Sequence, residues 1–158
     1  MISDLNQLAK KIVENNEYLA LATVDAEKSV WICIICYAQD KDFNFYFASI
    51  DTSRHSKNIS KNKAVSFAIY DSRQDWGTGV GLQIEGTVEK VKPREISKAT
   101  ATYFSRKYPY GKVSGVFAEE FKKLLQKKTY SFYKITPTRI WINNPNASVD
   151  ERVEVKLS

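Results

Sequence analysis

The sequence predicts a mainly β fold, a closed or partly closed β-barrel flanked by α-helices. Three observations support this prediction: short stretches rich in β-branched and aromatic residues recur along the chain, short polar turns separate them, and few stretches have a helical period. A chain of 158 residues with 43% hydrophobic content suits one domain with one sizeable core. No repeat or low-complexity linker divides it, so we predict a single domain over residues 1–158.

The N-terminal region predicts one helix followed by strands. Residues 3–15 predict an amphipathic helix, because their apolar side chains recur at a helical spacing: Leu5, Leu8, Ile12 and Val13. The period then changes to that of short strands joined by the polar turns DAEK and QDKD: 18–24, 29–38 and 43–49. Strands this short with turns this tight predict an antiparallel meander.

The rest of the chain predicts further strands around a helical segment. Strands are indicated by alternating apolar residues or by β-branched and aromatic clusters over four ranges: 64–71, 82–91, 129–135 and 139–143. Pro137 is expected to separate the last two of these strands. Helical spacing begins at Pro93, a residue suited to a first helical turn, and a second helix is predicted over 115–128. The tail at 152–157 is expected to be extended.

The strand at 30–38 has no polar face. The residues that alternate to one side are Val30, Ile32, Ile34, Cys36 and Ala38, and those on the other side are Trp31, Cys33, Ile35 and Tyr37. A strand that is apolar on both sides needs two covers. The barrel interior supplies one, and the second is a helix, a partner subunit or a flat ligand.

Three motifs resemble reactive sites but have the wrong context. Cys33 and Cys36 have the spacing of zinc or redox pairs, but residues three apart in a strand point to opposite faces, and the single histidine cannot complete a metal site. The glycines of DWGTGVG, at 75–81, join two strands and so predict a loop, not a phosphate-binding loop. His55 and Ser56 are too close in sequence for a positioned catalytic pair.

Charge and apolar runs limit the possible partners. The net charge of +6 and the pI near 9.2 raise nucleic-acid binding as an alternative, but the basic residues are spread out and interleaved with acidic ones. Solvated helix faces and loops are the better interpretation. The apolar runs are too short to span a bilayer, the N-terminus is unlike a secretory signal, and two nearby cysteines fit a reducing compartment, so we expect a soluble, cytoplasmic protein.

The polar segment DTSRHSKNISK, at 51–61, interrupts two strands and is the best candidate for a site. Thr52 or Ser53 can cap a short helix that runs to about residue 61, and its first turn carries cationic and hydroxyl side chains: Arg54, His55, Ser56 and Lys57. Free backbone N–H groups and the positive end of the helix dipole would then bind one anion, such as a phosphate. The alternative is a solvated connection whose cations face water.

Five stretches together resemble the pyridoxamine 5′-phosphate oxidase-like FMN-binding split-barrel family. They are LALATVD, VWICIICYAQDKDFNFYFAS, TSRHSKNISKNKAVSFAIYDS, GLQIEGTVEKV and YKITPTRIWI, which stand in the family's order between about residues 18 and 142. The resemblance implies a six-stranded antiparallel Greek-key split barrel, a homodimer, and FMN at the subunit interface. It also implies an oxidoreductase whose small substrate is unknown.

The resemblance also assigns roles to residues. Ser53 and Arg54 would hold the FMN phosphate, with His55 in the position where lysine is usual. The isoalloxazine ring or ribityl chain would lie along Trp31, Ile32, Cys33 and Ile34 and near Ala48 and Ser49. Gln83 is a further candidate, although the family's glutamine aligns nearer residue 81.

Departures from the family's pattern leave other functions open. The second strand reads WICIIC without the basic residues of the true oxidases, and the C-terminal region has no histidine, which counts against pyridoxamine phosphate oxidase activity itself. Within the resemblance, the alternatives are a deazaflavin coenzyme or a haem-like ligand. Outside it, the alternative is a non-catalytic module, either a flavin store or sensor or a basic barrel that binds nucleic acid.

Overall fold

The computed structural model describes residues 2–77, 79–106, 123, 127 and 130–157. Its helices are α1 (Ile2–Asn15), α2 (Arg54–Lys61) and α3 (Ile96–Ser105), the last preceded by a single 3-10 turn at Pro93–Glu95. Its strands are β1 (Tyr18–Val24), β2 (Val30–Cys36), β3 (Ala38–Gln39), β4 (Phe45–Ile50), β5 (Ala64–Tyr70), β6 (Gly81–Lys90), β7 (Tyr130–Asn143) and β8 (Arg152–Glu154). The helix predicted at 115–128 lies outside the described residues apart from Lys123 and Lys127.

All the strand pairs are antiparallel, and the sheet curls back on itself. The strand order is β2-β1-β5-β6-β7-β4-β3, with β8 added to β7. Its two ends, β2 and β3, are consecutive in the chain with only Tyr37 between them, so the sheet forms a barrel that is split at this residue. Counting β2 and β3 as one interrupted strand gives the six predicted barrel strands.

The chain connects these strands as a meander followed by a Greek-key return. β1 pairs with β2, and β3 pairs with β4, as the sequence predicts for a meander. β5 then returns to the free side of β1, and β6 and β7 continue until β7 pairs with β4. A fourth strand lying beside the first is the Greek-key arrangement. The predicted fold class is therefore confirmed, with β8 as an extra short strand.

The core fills the barrel and extends beneath α1. Alternate residues of each strand point inward, so one row across four strands joins Cys33, Leu21, Phe67 and Ile84 by strand pairing. α1 packs against one side of this core, and its residues Leu5, Ala9, Ile12 and Val13 are all buried in the same cluster. The Tyr37 hydroxyl donates to the Val13 carbonyl over 2.7 Å, which ties the split point of the barrel to α1.

One prediction about the C-terminal strands is wrong. Pro137 does not separate a pair of strands, because β7 runs through it without a break. Gly86 pairs with Pro137 while Glu85 pairs with Arg139, so one extra residue of β7 is accommodated in a β-bulge. A proline has no N–H to donate, and a bulge lets the strand continue past that missing hydrogen bond.

Gly86 is the residue on which this bulge depends. A Cβ atom at position 86 would lie 2.8 Å from the Thr136 carbonyl oxygen and 3.2 Å from the Ile135 side chain. We expect Gly86→Ala to lower the free energy of unfolding by about 1–3 kcal/mol, since the strands would have to move apart. Gly79→Ala is the matched control, because a Cβ atom there meets nothing within 4 Å. Urea denaturation of both variants tests this, and equal stabilities would contradict it.

Candidate functional site

Helix α2 begins directly beyond the end of β4, and its start is capped as predicted. Ser53 is the N-cap residue, in extended conformation, and its Oγ accepts from the Ser56 backbone N–H over 3.3 Å. The first N–H groups of a helix have no intrahelical acceptor, and the helix dipole makes this end positive. The backbone therefore presents hydrogen-bond donors and partial positive charge beside β4.

A cluster of hydroxyl groups holds His55 in place at this helix start. The His55 Nε2 atom lies 2.7 Å from Ser49 Oγ and 3.1 Å from Ser53 Oγ. Ser53 Oγ donates to Ser56 Oγ over 2.8 Å. Ser49 and Ser56 are buried, whereas Ser53 and His55 are partly exposed. The buried pair therefore positions the two side chains that can reach a ligand.

The Arg54 side chain extends from the start of α2 to the turn between β1 and β2. Its Nη2 atom donates to Ser29 Oγ over 3.3 Å and lies 3.6 Å from Asp25 Oδ2. Its guanidinium carbon lies 4.7 Å from the centre of the Trp31 ring, in a cation–π arrangement. The side chain is 48% exposed, so its remaining N–H groups face solvent.

The outward face of β2 is apolar and exposed. Val30, Ile32 and Ile34 are 62%, 61% and 67% exposed, respectively. Strand pairing continues this face sideways through small residues, with Ala22 opposite Ile32 and Ala20 opposite Ile34. The barrel interior thus covers one face of β2, and the other presents a flat apolar surface bordered by alanines.

The other residues that the sequence predicts for cofactor binding lie in different parts of the structure. Ala48 is partly exposed at the end of β4. Cys33 points into the barrel, and burial raises the pKa of its thiol to about 11. Gln83 lies on the outer face in the same row as Ile34, three strands away by pairing. Lys57 borders a cavity that is also lined by Lys90.

Sequence reasoning missed the residues that join α2 to the β1–β2 hairpin. Asp25 and Ser29 have the character of turn residues in the sequence, yet they contact Arg54. The buried Asn58 donates to Thr23 Oγ1 over 3.0 Å and fixes the middle of the helix. The sequence signal that could have indicated a buried side of α2 is the pair Asn58 and Ile59 in an otherwise polar helix.

Burial lowers the pKa of His55 below its ordinary value of 6.5. The folded protein then binds a proton at His55 less readily than the unfolded chain does. The contribution of neutral His55 to the free energy of unfolding is therefore complete above pH 6.5 and decreases as the pH falls below 6.5. We expect the native protein to lose more stability than His55→Gln between about pH 7.5 and about pH 5.5. Urea denaturation at both pH values measures this, and identical losses would contradict it.

Two further properties concern the described residues as a whole. Among them, no helix is both long enough and apolar enough to cross a membrane. They also contain no group of three or more His, Cys, Asp and Glu side chains arranged to hold a metal ion.

The fold and site together define a class: a split β-barrel with a capped helix start near an exposed apolar strand. A family model described as pyridoxamine 5′-phosphate oxidase matches residues 5–144. This chain belongs to that family. The resemblance drawn from the sequence is therefore confirmed at the level of the family. A search of curated protein sequences finds no match.

Solved structures with this fold differ widely in sequence from the chain. A haem-binding protein from Mycobacterium smegmatis has a TM-score of 0.73 at 15% identity, covering 94% of this chain and 57% of its own. HutZ, a haem storage protein from Vibrio cholerae, has a TM-score of 0.66 at 17% identity, covering 85% and 91%. A Listeria innocua protein, provisionally assigned as a pyridoxamine 5′-phosphate oxidase, has a TM-score of 0.60 at 14% identity, covering 87% and 97%. At these identities the likeness concerns the fold alone.

Proposed function

We propose that this chain is a flavoprotein that binds FMN at the interface of a homodimer and acts as an oxidoreductase on a small substrate. The observation that carries the proposal is that a capped helix start contacts the strand whose outer face is apolar and exposed. The start of α2 offers Ser53, Arg54 and His55 for a phosphate, and the exposed side of β2 offers Ile32 and Ile34 for a flat apolar ring. Arg54 connects α2 to this strand by stacking on Trp31, which lies on the side of β2 opposite to Ile32 and Ile34.

The residues present fit FMN at both of its ends. A phosphate dianion suits a guanidinium with free N–H groups beside a helix N-terminus. An isoalloxazine ring suits a flat surface on which Ala20 and Ala22 leave room beside larger side chains. When bound, FMN supplies the electron transfer. The protein's own residues hold the phosphate, orient the ring and exclude water from it.

A second copy of the chain is the cover that we propose for the outer face of β2. Isoleucines on an outward strand lose apolar contact with water when another copy packs on them. A second copy could also enclose a ring lying against this strand more completely than one barrel surface does. The homodimer and the cofactor site are therefore proposed as one structure.

The haem-binding neighbours favour haem as a second candidate. The structure gives one argument against it, because the sequence holds a single histidine and its Nε2 atom is occupied by Ser49 and Ser53 hydroxyls. A haem ligand at His55 would have to break both contacts and enter beside the buried Ser49. FMN makes no such demand, since its phosphate can accept from the Arg54 guanidinium and from backbone N–H groups of the helix start without displacing these contacts.

The first experiment is to purify the protein without added cofactor and record its visible spectrum. We expect flavin bands, or their appearance with a raised melting temperature when FMN is added. Riboflavin is the matched control, because it has the same ring without the phosphate and should bind more weakly. Hemin and a deazaflavin coenzyme are tested in parallel. Absence of flavin uptake, or a Soret band with hemin alone, would overturn the proposal.

Whether the bound flavin is catalytic needs a separate measurement. The purified holoprotein is mixed with reduced nicotinamide donors under anaerobic conditions, and bleaching of the flavin band is followed. We expect reduction followed by reoxidation when an acceptor is added. Bound flavin that no donor reduces would instead support a flavin store or sensor.

A further inference from the structure

A cavity of about 340 Å³ lies on the outer face of the sheet, where β1 and β5 separate. These two strands pair over only three residues each. The pairing ends at Ala20 and Ala68, while the strands themselves extend further, to Tyr18 and Tyr70. The cavity therefore arises from the gap between the two strands. Its volume lies within the size range of small-molecule sites.

The floor of this cavity is apolar and its walls are aromatic. Ala20 and Ala68, which pair with each other across the strands, form the floor. Alternate residues of a strand share a face, so Tyr18 and Tyr70 lie on the same outer side. Both tyrosines are exposed, as is Ile34, which pairs with Ala20 from β2. A ligand on the alanines would therefore lie beside two tyrosine rings and one isoleucine.

The rim of the cavity is acidic, although the net charge of the chain is +6. Two carboxylates line it, Glu17 and Asp71, and among the described residues no lysine or arginine does. Arg73 neutralises Asp71, because its Nε atom lies 3.1 Å from Asp71 Oδ1 and its Nη2 atom donates to Oδ2 over 3.2 Å. In the part of the chain that the structure describes, no cation forms an ion pair with Glu17. The cavity therefore keeps one unpaired negative charge.

The cavity also contains groups that can form a hydrogen bond with a ligand hydroxyl. Asn16 donates through Nδ2 to the Ile12 carbonyl over 2.8 Å, which leaves its Oδ1 atom as an acceptor. Ser72 adds a hydroxyl group, which can donate or accept. The side chain of Leu19 is buried in the core, so this residue borders the cavity with its backbone.

We propose that this cavity binds a small quaternary ammonium ion that carries a hydroxyl group. The alkylated nitrogen lies on the alanine floor, where cation–π attraction to Tyr18 and Tyr70 and the charge of Glu17 stabilise it. A primary ammonium ion would lose three hydrogen bonds to water on entry, and one unpaired carboxylate replaces only some of them. A quaternary ion has no N–H group and loses none.

This site does not depend on the proposed flavin site. Arg54 contacts the turn that precedes β2, whereas Tyr18 pairs with Cys36, the last residue of that strand. The cavity therefore lies at the end of β2 that is away from the start of α2. It shares only Ile34 and Ala20 with the surface proposed for the FMN ring.

The test is calorimetric titration of the purified protein with choline, both without FMN and with saturating FMN. We expect one binding event per chain, with the same affinity in both conditions. The neutral isostere dimethylbutanol, in which carbon replaces the charged nitrogen, should bind at least about tenfold more weakly. Ethanolamine keeps the charge but has a primary ammonium group without methyl contacts, and it should also bind at least about tenfold more weakly.

Three substitutions in the cavity and one control locate the binding site. Ala68→Leu fills the floor and should abolish choline binding. Tyr70→Ala should weaken choline about fivefold or more, and Glu17→Gln should weaken it several-fold. Glu27→Gln is the control, because it makes the same charge change on the exposed β1–β2 turn, at the other end of β1. Melting temperatures of all the variants are compared first, so that misfolding is not mistaken for lost binding.

Four results would overturn the proposal. They are no binding of choline, binding of dimethylbutanol or ethanolamine as tight as that of choline, equal weakening by Glu27→Gln and Glu17→Gln, and loss of choline binding when FMN is added. The last result would assign this end of the apolar surface to the flavin. A lysine or arginine of a second copy is also a cation. If choline dissociates a dimer in analytical ultracentrifugation, the cavity receives that side chain and belongs to the interface instead.

Discussion

Replacing Ile32 with aspartate is expected to convert dimers of this chain into monomers. Ile32 is 61% exposed on the outer side of β2, in the centre of the apolar surface between Val30 and Ile34. In a symmetric dimer the same surface serves both copies, so one substitution acts twice. An unpaired carboxylate buried in such an interface costs about 3–5 kcal/mol, which is sufficient to dissociate an interface of ordinary size when it occurs twice.

The same substitution should leave the barrel folded. The Ile32 side chain points away from the core, and its pairing partner across the sheet is the small Ala22. Aspartate in a strand costs at most about 1 kcal/mol of β propensity. Val149→Asp is the matched control, since Val149 is 74% exposed in the loop before β8 and away from β2.

Analytical ultracentrifugation at several protein concentrations gives the decisive measurement. We expect the native chain and Val149→Asp to sediment as dimers and Ile32→Asp as a monomer with an unchanged far-UV spectrum. FMN affinity should fall with the dimer, because the ring would lose its second cover. A monomeric native protein, or an Ile32→Asp variant that stays dimeric, would remove β2 from the interface.

The elements that follow from the sequence are those in which local pattern and tertiary structure agree. The alternation of Leu82, Ile84 and Val88 set the face that β6 buries, and the barrel requires the same face. The sequence offered Thr52 or Ser53 as the cap, because either hydroxyl can satisfy a donor that the helix leaves free, and the structure has Ser53 there. The apolar outer face of β2 was also visible, although the sequence could not say what covers it.

The features that did not follow from the sequence depend on contacts between distant residues. The strand predicted at 29–38 is divided at Tyr37, because its first residues pair with β1 and its last residues pair with β4. Pro137 lies inside a strand because Gly86, far away in the chain, allows the close approach that the bulge needs. Arg54 was predicted to face a phosphate, but its partners Asp25 and Ser29 lie more than twenty residues earlier.

Arg54→Ala is expected to weaken FMN binding by about tenfold to a hundredfold. A hydrogen bond to a charged group is worth about 1.5–3 kcal/mol, and the guanidinium can form two with a phosphate. Its Nη2 atom already contacts Asp25 and Ser29, which hold the arginine at the helix start instead of letting it move freely in solvent. Preorganisation of this kind lowers the entropic cost of binding. The loss of FMN affinity on substitution should therefore lie within about tenfold to a hundredfold.

Fluorescence titration of FMN, whose emission is quenched on binding, measures the effect. Arg73→Ala is the control, because Arg73 is also an exposed arginine paired with an aspartate, Asp71, but lies in the loop after β5. Arg54→Lys should be intermediate, since it keeps the charge and loses the planar stacking on Trp31. Riboflavin affinity should be nearly the same in every variant, because riboflavin has no phosphate. If Arg54→Ala weakens riboflavin and FMN equally, Arg54 does not bind the phosphate.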